Sequence, residues 1–211
     1  MCYFIEVKSN SDELSNRFSA FSEDYALMRE YDSISGFAHP EIPVMTSEEP
    51  NKIHVMKWGL IPPWAKDEAQ AMDMANKTLN AMGETVFIKP SFRSIMKKRC
   101  LILVDGFYEW QHQDKKKIKY RIKLKEPEPF ALGGLYDEWT NRNTGEVTKG
   151  FSIITVPANP LMAVIHNVKK RMPLILKRDD ELKWLDTRLS KEQVAEMILP
   201  YDENEMVAEV A

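Results

Sequence analysis

The chain has 211 residues, 44% of them hydrophobic and 29% charged, with a formal net charge of −3. This length and apolar content favour one compact domain with a full core over two very small ones. Its two cysteines, Cys2 and Cys100, lie far apart and form neither a disulfide framework nor a metal-ligand spacing. Without a signal peptide or membrane-length apolar run, we expect a soluble cytoplasmic protein with no metal or other cofactor.

The charges are distributed unevenly along the chain. Residues 1–50 and residues 179–211 each carry three basic and ten acidic side chains, whereas residues 51–178 carry 23 basic and 12 acidic ones. The basic groups also occur in runs, at 97–99, 115–117 and 169–171. A basic segment in an acidic chain suggests a polyanion-binding face, although lysine runs are more often solvated turns.

The first half of the chain predicts short elements. Ser11-Asp12-Glu13 caps a helix whose Leu14, Phe18 and Phe21 share one face. Further predictions are an ordered loop entering an edge strand at 39–46, a strand within 52–64 that ends at a double proline, a helix or long loop at 67–79, and a short helix at 90–100 that begins at Pro90.

The second half predicts mainly strands, at 101–110, 119–124, 130–139, 149–158 and 172–176, with a helical turn at 159–165. Two helices follow in the 179–211 tail, and the second has a Ser190-x-x-Gln193 capping box. We therefore predict a single α+β domain over 1–211, with a mainly antiparallel, distorted, barrel-like sheet flanked by short helices.

Four features are candidates for chemistry, and each also has an ordinary explanation. Glu109 lies in an aromatic strand, where an inward carboxylate would be costly and have a raised pKa, but alternation can equally turn it to solvent. His166 follows an apolar helical turn, where a histidine usually packs. Asn80 lies in a polar turn. Trp64 follows a rigid double proline and is a core residue unless it is exposed for base stacking.

Together these stretches resemble a known family. The order Met-Cys at 1–2, W-G-L-I-P-P-W at 58–64, N-A-M-G-E-T at 80–85, R-C-L-I-L-V-D-G-F-Y-E-W at 99–110, and I-H at 165–166 before R-M-P at 171–173 resembles the SOS-response-associated peptidase family, the abasic-site processing proteins. The resemblance spans residues 2–176. It implies one α+β domain around a barrel-like sheet that binds single-stranded DNA and links covalently to abasic sites. It implies Cys2 as nucleophile, Glu109 and His166 as assisting groups, and Asn80 as the active-site amide.

The chemistry accounts for a cysteine at position 2. Removal of Met1 would leave Cys2 with a free α-amine and a thiol on adjacent carbons. The amine can form an imine with the open-chain aldehyde of an abasic site, and the thiol can then close a five-membered thiazolidine ring. An internal cysteine lacks the amine, whereas an amine without a thiol stops at the imine, which invites β-elimination.

The resemblance also implies DNA contacts. Candidate DNA-binding residues are Trp64, Phe92, Arg93, Lys169, Lys170 and Arg171. The sequence departs from the family at Phe4 and Met82, which stand where many members have arginines, and it is longer between His166 and Arg171. Lys169 and Lys170 would compensate for the two missing arginines.

Two alternatives remain open. One is a hydrolase or peptidase that uses the Cys2 thiolate with His166 as base, acting on Met1 itself or on another substrate. The other is a non-covalent single-strand binding module in which Cys2 is incidental. Our leading prediction is a monomer that senses abasic sites in single-stranded DNA and associates with the nucleoid when bound, with no membrane partner.

Overall fold

The computed structural model describes residues 1–22 and 24–211. Its strands are β1 (Phe4–Val7), β2 (Phe21–Ser22), β3 (Tyr31–Ser35), β4 (Glu41–Thr46), β5 (Lys52–Trp58), β6 (Asn80–Met82), β7 (Arg99–Val104), β8 (Gly106–Gln113), β9 (Lys116–Leu124), β10 (Phe130–Thr140), β11 (Val147–Pro157), β12 (Arg171–Pro173) and β13 (Met206–Val210). Its α-helices are α1 (Ser11–Phe18), α2 (Glu68–Lys77), α3 (Pro160–Ile165), α4 (Glu181–Leu185) and α5 (Lys191–Met197). None of these helices is long and apolar enough to cross a bilayer.

A closed ring of strands forms the centre of the molecule. Strands β11, β10, β7, β4 and β5 pair in that order, and β5 closes the ring by pairing in parallel with β11 through Lys57–Gly150 and Trp58–Phe151. The indole of Trp58 and the ring of Phe151 stack inside, with centroids 6.2 Å apart. The predicted α+β class and its mainly antiparallel, barrel-like sheet are confirmed.

A second sheet carries the N-terminus. Its strand order is β13-β9-β8-β1-β3, all antiparallel, so that β1 lies between β8 and β3. The chain passes from the barrel to this sheet at Asp105, between β7 and β8. The Asp105 carboxylate accepts hydrogen bonds from the backbone N–H groups of Lys8 and Ser9, at 2.6 and 2.9 Å, and so fixes the end of β1.

Three predicted strands differ from those observed. The stretch 101–110 is two strands in two sheets, because the chain changes sheets at Asp105. The strand at 41–46 lies between β7 and β5 rather than at an edge; its pairing with β7 begins at Val44, beyond Pro43, which has no N–H to donate. The strand at 172–176 is shorter, with only an isolated bridge beyond it at Ile175.

The helical predictions also needed correction. Residues 90–100 form successive turns rather than a helix, because Phe92 and Ile95 turn into the core while the strand already begins at Arg99. Helix α1 is capped by Asn10, in a capping box with Glu13, rather than by Ser11. The stretch at 67–79, left open as helix or loop, contains α2.

The C-terminal tail is only partly helical. The predicted capping box of Ser190 and Gln193 is present at the start of α5. The prediction missed β13, which extends the second sheet by pairing with β9. The tail is fastened to the barrel by Trp184, whose indole N–H donates to the carbonyl of Cys100 at 3.1 Å.

Candidate active site

The N-terminus is held in place rather than mobile. Phe4 pairs with Tyr108 on one side and with Ser35 on the other, and the carbonyl of Tyr3 accepts a hydrogen bond from Gly36 N–H at 2.9 Å. Cys2 is completely buried. Residues 1–3 therefore run from a strand paired on both sides into the interior, which gives the terminal amine a defined position.

Glu109 points inward from β8. It alternates with Tyr108 and Trp110 and shares the face of Phe107, which is fully buried, and its own side chain is almost without solvent contact. Its Oε1 atom has no hydrogen-bond partner among the described residues. The strand register thus decides between the two orientations that the sequence left open, and it places a carboxylate with an unused oxygen beside the N-terminus.

His166 also lies beside the N-terminus and Glu109. It is the C-cap of α3, a helix that begins at the N-cap Asn159. Its Nδ1 lies 2.8 Å from the carbonyl oxygen of Arg171, 3.4 Å from the Met1 amine and 3.6 Å from Glu109 Oε1. A carbonyl oxygen only accepts hydrogen bonds, so Nδ1 carries the hydrogen and Nε2 is the basic nitrogen of the neutral ring.

Asn80 fixes the backbone of the cysteine. Its Nδ2 donates to the carbonyl oxygen of Cys2 at 2.9 Å, while its Oδ1 is buried and has no partner within the described residues. Among the described residues the Cys2 thiol has one hydrogen-bond partner, the carbonyl of Phe4 at 3.8 Å. The amide therefore orients the residue on which the chemistry was predicted, and it keeps one acceptor free.

Burial governs the protonation of the site. It raises the pKa of Glu109 to about 7, and it lowers the pKa of the Met1 amine and of His166 below their usual values. It raises the pKa of the Cys2 thiol far above its usual range, and the negative charge of Glu109 adds to that rise. Near neutral pH the site thus holds a carboxyl group that can give or take a proton, a neutral imidazole and an un-ionised thiol.

A cavity of about 410 Å³ opens onto Met1, Glu109 and His166, whereas the completely buried Cys2 lies behind Met1 and does not line it. It is lined by Met1, Tyr3, Phe4, Glu109, Trp110, His112, Lys117, His166, Val168 and Lys169. The terminal residue, the carboxyl group and the imidazole thus share one solvent-accessible space, which is the requirement for proton transfer between them and a bound substrate.

The sequence matches one protein family over almost its whole length. Residues 1–210 match the profile of the family described as SOS response associated peptidase, SRAP. The chain belongs to the SRAP family. The abasic site processing protein YoqW of Bacillus subtilis is 38% identical over 211 residues, which covers 92% of this chain and 91% of the relative. The abasic site processing protein YoaM of the same organism is 43% identical over 161 residues, 75% of this chain and 67% of the relative.

A solved structure has the same fold. A crystal structure of a protein from Bacteroides thetaiotaomicron superposes with a TM-score of 0.95 at 37% identity, and the match covers 99% of this chain and 91% of that one. The barrel, the second sheet and the short helices of the SRAP chain are therefore found together in an experimentally determined relative.

The residues predicted to bind DNA are not gathered at the SRAP cavity. Only Lys169 lines it. Trp64 is 44% exposed and Arg93 is exposed, but neither borders the cavity, and neither does Lys170, whose φ of 49° places it in a left-handed turn. These exposed residues stay predictions, because their side chains are accessible to a strand that extends beyond the cavity.

Two of the residues predicted to contact DNA are buried and already have partners. Phe92 is only 7% exposed and packs in the core, so its ring offers no face to a base. Arg171 is 9% exposed, and its guanidinium donates to both carboxylate oxygens of Glu84 and to the carbonyl of Thr155 at 2.6 Å. A phosphate would have to displace Glu84, so in this SRAP chain Arg171 fastens β12 to its neighbours.

Sequence reasoning also missed residues that line the site. The longer segment after His166 is tied to β8 by Asn167, whose side chain accepts from His112 N–H at 3.1 Å and donates to His112 O at 2.8 Å. Lys117 belongs to the basic run at 115–117, and nothing in the sequence distinguishes it from its neighbours in that run. It reaches the cavity because the register of β8 with β9 pairs it with His112. The extra length between His166 and Arg171 was the one feature of the sequence that pointed to this loop.

Proposed function

We propose that this SRAP-family chain processes abasic sites in single-stranded DNA by forming a covalent thiazolidine through Cys2 after Met1 is removed. The observation that carries the proposal is the position of the terminal amine, 3.4 Å from His166 Nδ1 and in the same cavity as Glu109. Relatives that bear the name abasic site processing protein, at 38% and 43% identity, support the substrate class.

Removal of Met1 exposes the reactive pair. Hydrolysis of the Met1–Cys2 peptide bond consumes one water, releases methionine and leaves the nitrogen of Cys2 as a free α-amine, while the Cys2 carbonyl remains held by Asn80. Burial lowers the pKa of the present amine, and Cys2 is itself completely buried, so we expect the new amine to be neutral over more of the physiological range as well. The departing Met1 side chain also leaves room in the cavity for a sugar.

The first bond forms between nitrogen and carbon. The Cys2 amine adds to C1′ of the open-chain aldehyde, and loss of one water gives the imine. The hydroxyl that leaves needs a proton, and the attacking nitrogen must release one. Glu109, with a pKa of about 7, is present in both protonation states near neutral pH and is suited to both transfers.

The second bond forms between sulfur and the same carbon. The S–H bond of Cys2 adds across the imine: sulfur bonds to C1′ and a hydrogen ends on nitrogen, so neither an oxidant nor a reductant is needed. Burial keeps the thiol un-ionised, and its proton must therefore leave as the ring closes. Glu109 or the free Nε2 of His166 accepts it and returns a proton to nitrogen. Because ring closure is intramolecular, orientation can contribute about 7–11 kcal/mol in the best-aligned cases.

The same observations weigh against a thiolate hydrolase. Such an enzyme needs an ionised sulfur at neutral pH, whereas burial and the neighbouring carboxylate raise the pKa of Cys2. No positive side chain contacts the thiol among the described residues, and its one hydrogen-bond partner is a carbonyl. The ring-closing reaction needs only a thiol positioned next to an imine.

Intact mass spectrometry tests the proposal directly. Purified protein is expected to lack Met1, and incubation with an oligonucleotide carrying one abasic site should add the strand mass minus one water, in a product that survives denaturation. The matched sample carries an extra residue before Cys2 with processing blocked, which keeps the thiol but converts its amine to an amide. No durable adduct in the processed protein, or an equal adduct in the blocked one, would refute the mechanism.

A further inference from the structure

Another cavity, of about 210 Å³, lies between residues 87–99 and residues 189–194. We call it the tail pocket, because its second side belongs to the C-terminal tail that enters α5. None of its lining residues borders the cavity at the N-terminus. The reaction proposed for Cys2 therefore does not involve the tail pocket.

The exposed residues of the tail pocket are positively charged. Arg93, Lys97 and Lys191 line it with exposed side chains, and none of them forms an ion pair with a described carboxylate. Its described lining contains no aspartate or glutamate. Other cations of the chain are neutralised, as Lys149 is by Glu138 at 2.9 Å. The tail pocket thus has an excess of positive charge that a negatively charged partner would complement.

Arg99 holds the two sides of the tail pocket together. Its side chain is buried and donates to the backbone carbonyls of Trp184 and Asp186, both at 2.5 Å, and of Met96 at 2.6 Å. The N–H of Leu189 donates to the same Asp186 carbonyl at 3.2 Å. These bonds fix the pocket before any ligand arrives. Because all three acceptors of Arg99 are backbone carbonyls, its guanidinium adds to the positive charge of the exposed residues.

The less exposed part of the tail pocket is apolar. Val194 is buried and Met96 and Leu189 are partly buried, so a ligand that passes the cations meets apolar side chains. Proteins that bind single strands stack bases on open aromatic rings. The one aromatic ring of the described lining, Phe87, is partly buried, and the Lys191 ammonium lies 5.2 Å from its centroid. A volume of about 210 Å³ is below the usual range for whole small ligands and suits a single apolar side chain.

We propose that the tail pocket binds an acidic segment of a partner protein, with one bulky apolar side chain inside it and neighbouring carboxylates against Arg93, Lys97 and Lys191. The cations select an anionic partner, and the apolar side chains beneath them favour a peptide over a nucleic-acid strand. The proposal does not depend on the reaction at Cys2. Because the two cavities share no lining residue, a bound peptide would leave the N-terminal cavity open.

Three fluorescent peptides test both parts of the proposal. The first has a run of aspartates followed by a phenylalanine, the second ends in serine instead of phenylalanine, and the third has serines in place of the aspartates. Fluorescence anisotropy should show that the wild type binds the first peptide. Its affinity should be about ten-fold lower for the second, which lacks the apolar side chain, and about ten-fold lower for the third, which lacks the charges. No binding of the first peptide, or equal affinity for all three, would overturn the proposal.

Lys97→Gln combined with Lys191→Gln tests whether the peptide binds at the tail pocket. Both side chains are exposed, so the double variant should melt as the wild type does, and it should bind the first peptide about ten-fold more weakly. Lys115→Gln combined with Lys116→Gln removes the same charge at the turn between β8 and β9 and should retain the affinity. Unchanged affinity in the first double variant, or an equal loss in the second, would contradict binding at this pocket.

Competition with DNA tests the other class of occupant. At constant ionic strength, an undamaged single strand should leave the first peptide bound to the wild type, because the proposed pocket is not part of the strand's path. Displacement of the peptide by the strand, together with weaker strand binding in Arg93→Gln, would assign the tail pocket to DNA and overturn the proposal.

Discussion

Cys2 and Cys100 are alike by every measure of burial. Neither thiol has solvent contact, neither forms a disulfide, and burial raises the pKa of both. Cys100 lies in β7 of the barrel, whereas Cys2 precedes β1 in the second sheet. Exposure and acidity would therefore class both as inert packing residues.

Cys2 and Cys100 differ in the groups that surround them. Burial is the whole cause of the raised pKa of Cys100, which stands opposite Thr46 and Gly134 in the barrel. The pKa of Cys2 responds also to Glu109 and to the terminal amine. A thiol next to a proton-transferring carboxyl group and a terminus has access to chemistry that the barrel thiol lacks.

The largest effect that tests this comparison comes from replacing each cysteine in turn. Cys2→Ala keeps the amine but removes the sulfur, so the durable adduct should be lost and only an imine that borohydride can trap should remain. Cys100→Ala should retain the adduct rate and lose about 1 kcal/mol of unfolding free energy, as is typical of a core truncation. Denaturing gels with and without borohydride, together with urea unfolding, measure both outcomes.

Two buried carboxylates allow a second contrast. Glu109→Gln removes the proton-transferring group but keeps its shape, and adduct formation should slow by about 10²–10⁴-fold while strand binding is retained. Glu6→Gln changes a carboxylate in the same sheet that Arg121 and Lys8 already neutralise, at 2.7 and 3.4 Å. This control should cost about 1–3 kcal/mol of stability and leave the rate of the chemistry unchanged at saturating DNA.

The barrel and the site differ in how far the sequence reveals them. Alternating apolar strands predicted the sheet, and the resemblance gathered Cys2, Asn80, Glu109 and His166, which the structure brings to one place. The surroundings of Phe92 and Arg171 could not be predicted, because a motif does not tell whether a side chain meets a core or a carboxylate such as Glu84. Their contacts with DNA stay predictions.

Register explains most of what the sequence left undetermined. The inward turn of Glu109, the arrival of Lys117 at the cavity and the pairing of β13 all depend on which residues of distant strands lie opposite each other. Local patterns state that a strand exists but not its partners. The change of sheet at Asp105 likewise depends on the distant backbone amides of Lys8 and Ser9.

The raised pKa of Glu109 predicts a pH effect on stability. Below its usual pKa of 4.5, Glu109 is protonated in both the folded and the unfolded state; between 4.5 and about 7, only the unfolded chain has released the proton. Rising pH therefore favours unfolding across this window, by about 3 kcal/mol for this group. The unfolding free energy of Glu109→Gln minus that of wild type should grow by that amount between pH 4.5 and 7. Parallel profiles in urea unfolding would contradict the raised pKa.

The smallest predicted effect concerns the loop that holds His166 near Cys2. Asn167→Ala removes the two hydrogen bonds to His112, at 3.1 and 2.8 Å, that tie the loop to β8. Exposed hydrogen bonds contribute at the low end of about 0.5–1.5 kcal/mol each, and the bond from His166 to Arg171 O remains. We expect adduct formation to slow about three- to ten-fold.

A structural role alone would lower the melting temperature without changing how the rate depends on pH. A positioning role should instead reduce the rate of adduct formation most at the pH values at which the reaction requires neutral His166. Asn167→Gln, whose side chain can still donate and accept hydrogen bonds, should recover part of the lost rate. Asn143→Ala, in the turn between β10 and β11, is the matched control and should leave the rate unchanged. If Asn167→Ala forms the adduct as fast as wild type at every pH, then the hydrogen bond to Arg171 O in β12 is enough to hold His166, and the loop does not position the neighbours of Cys2.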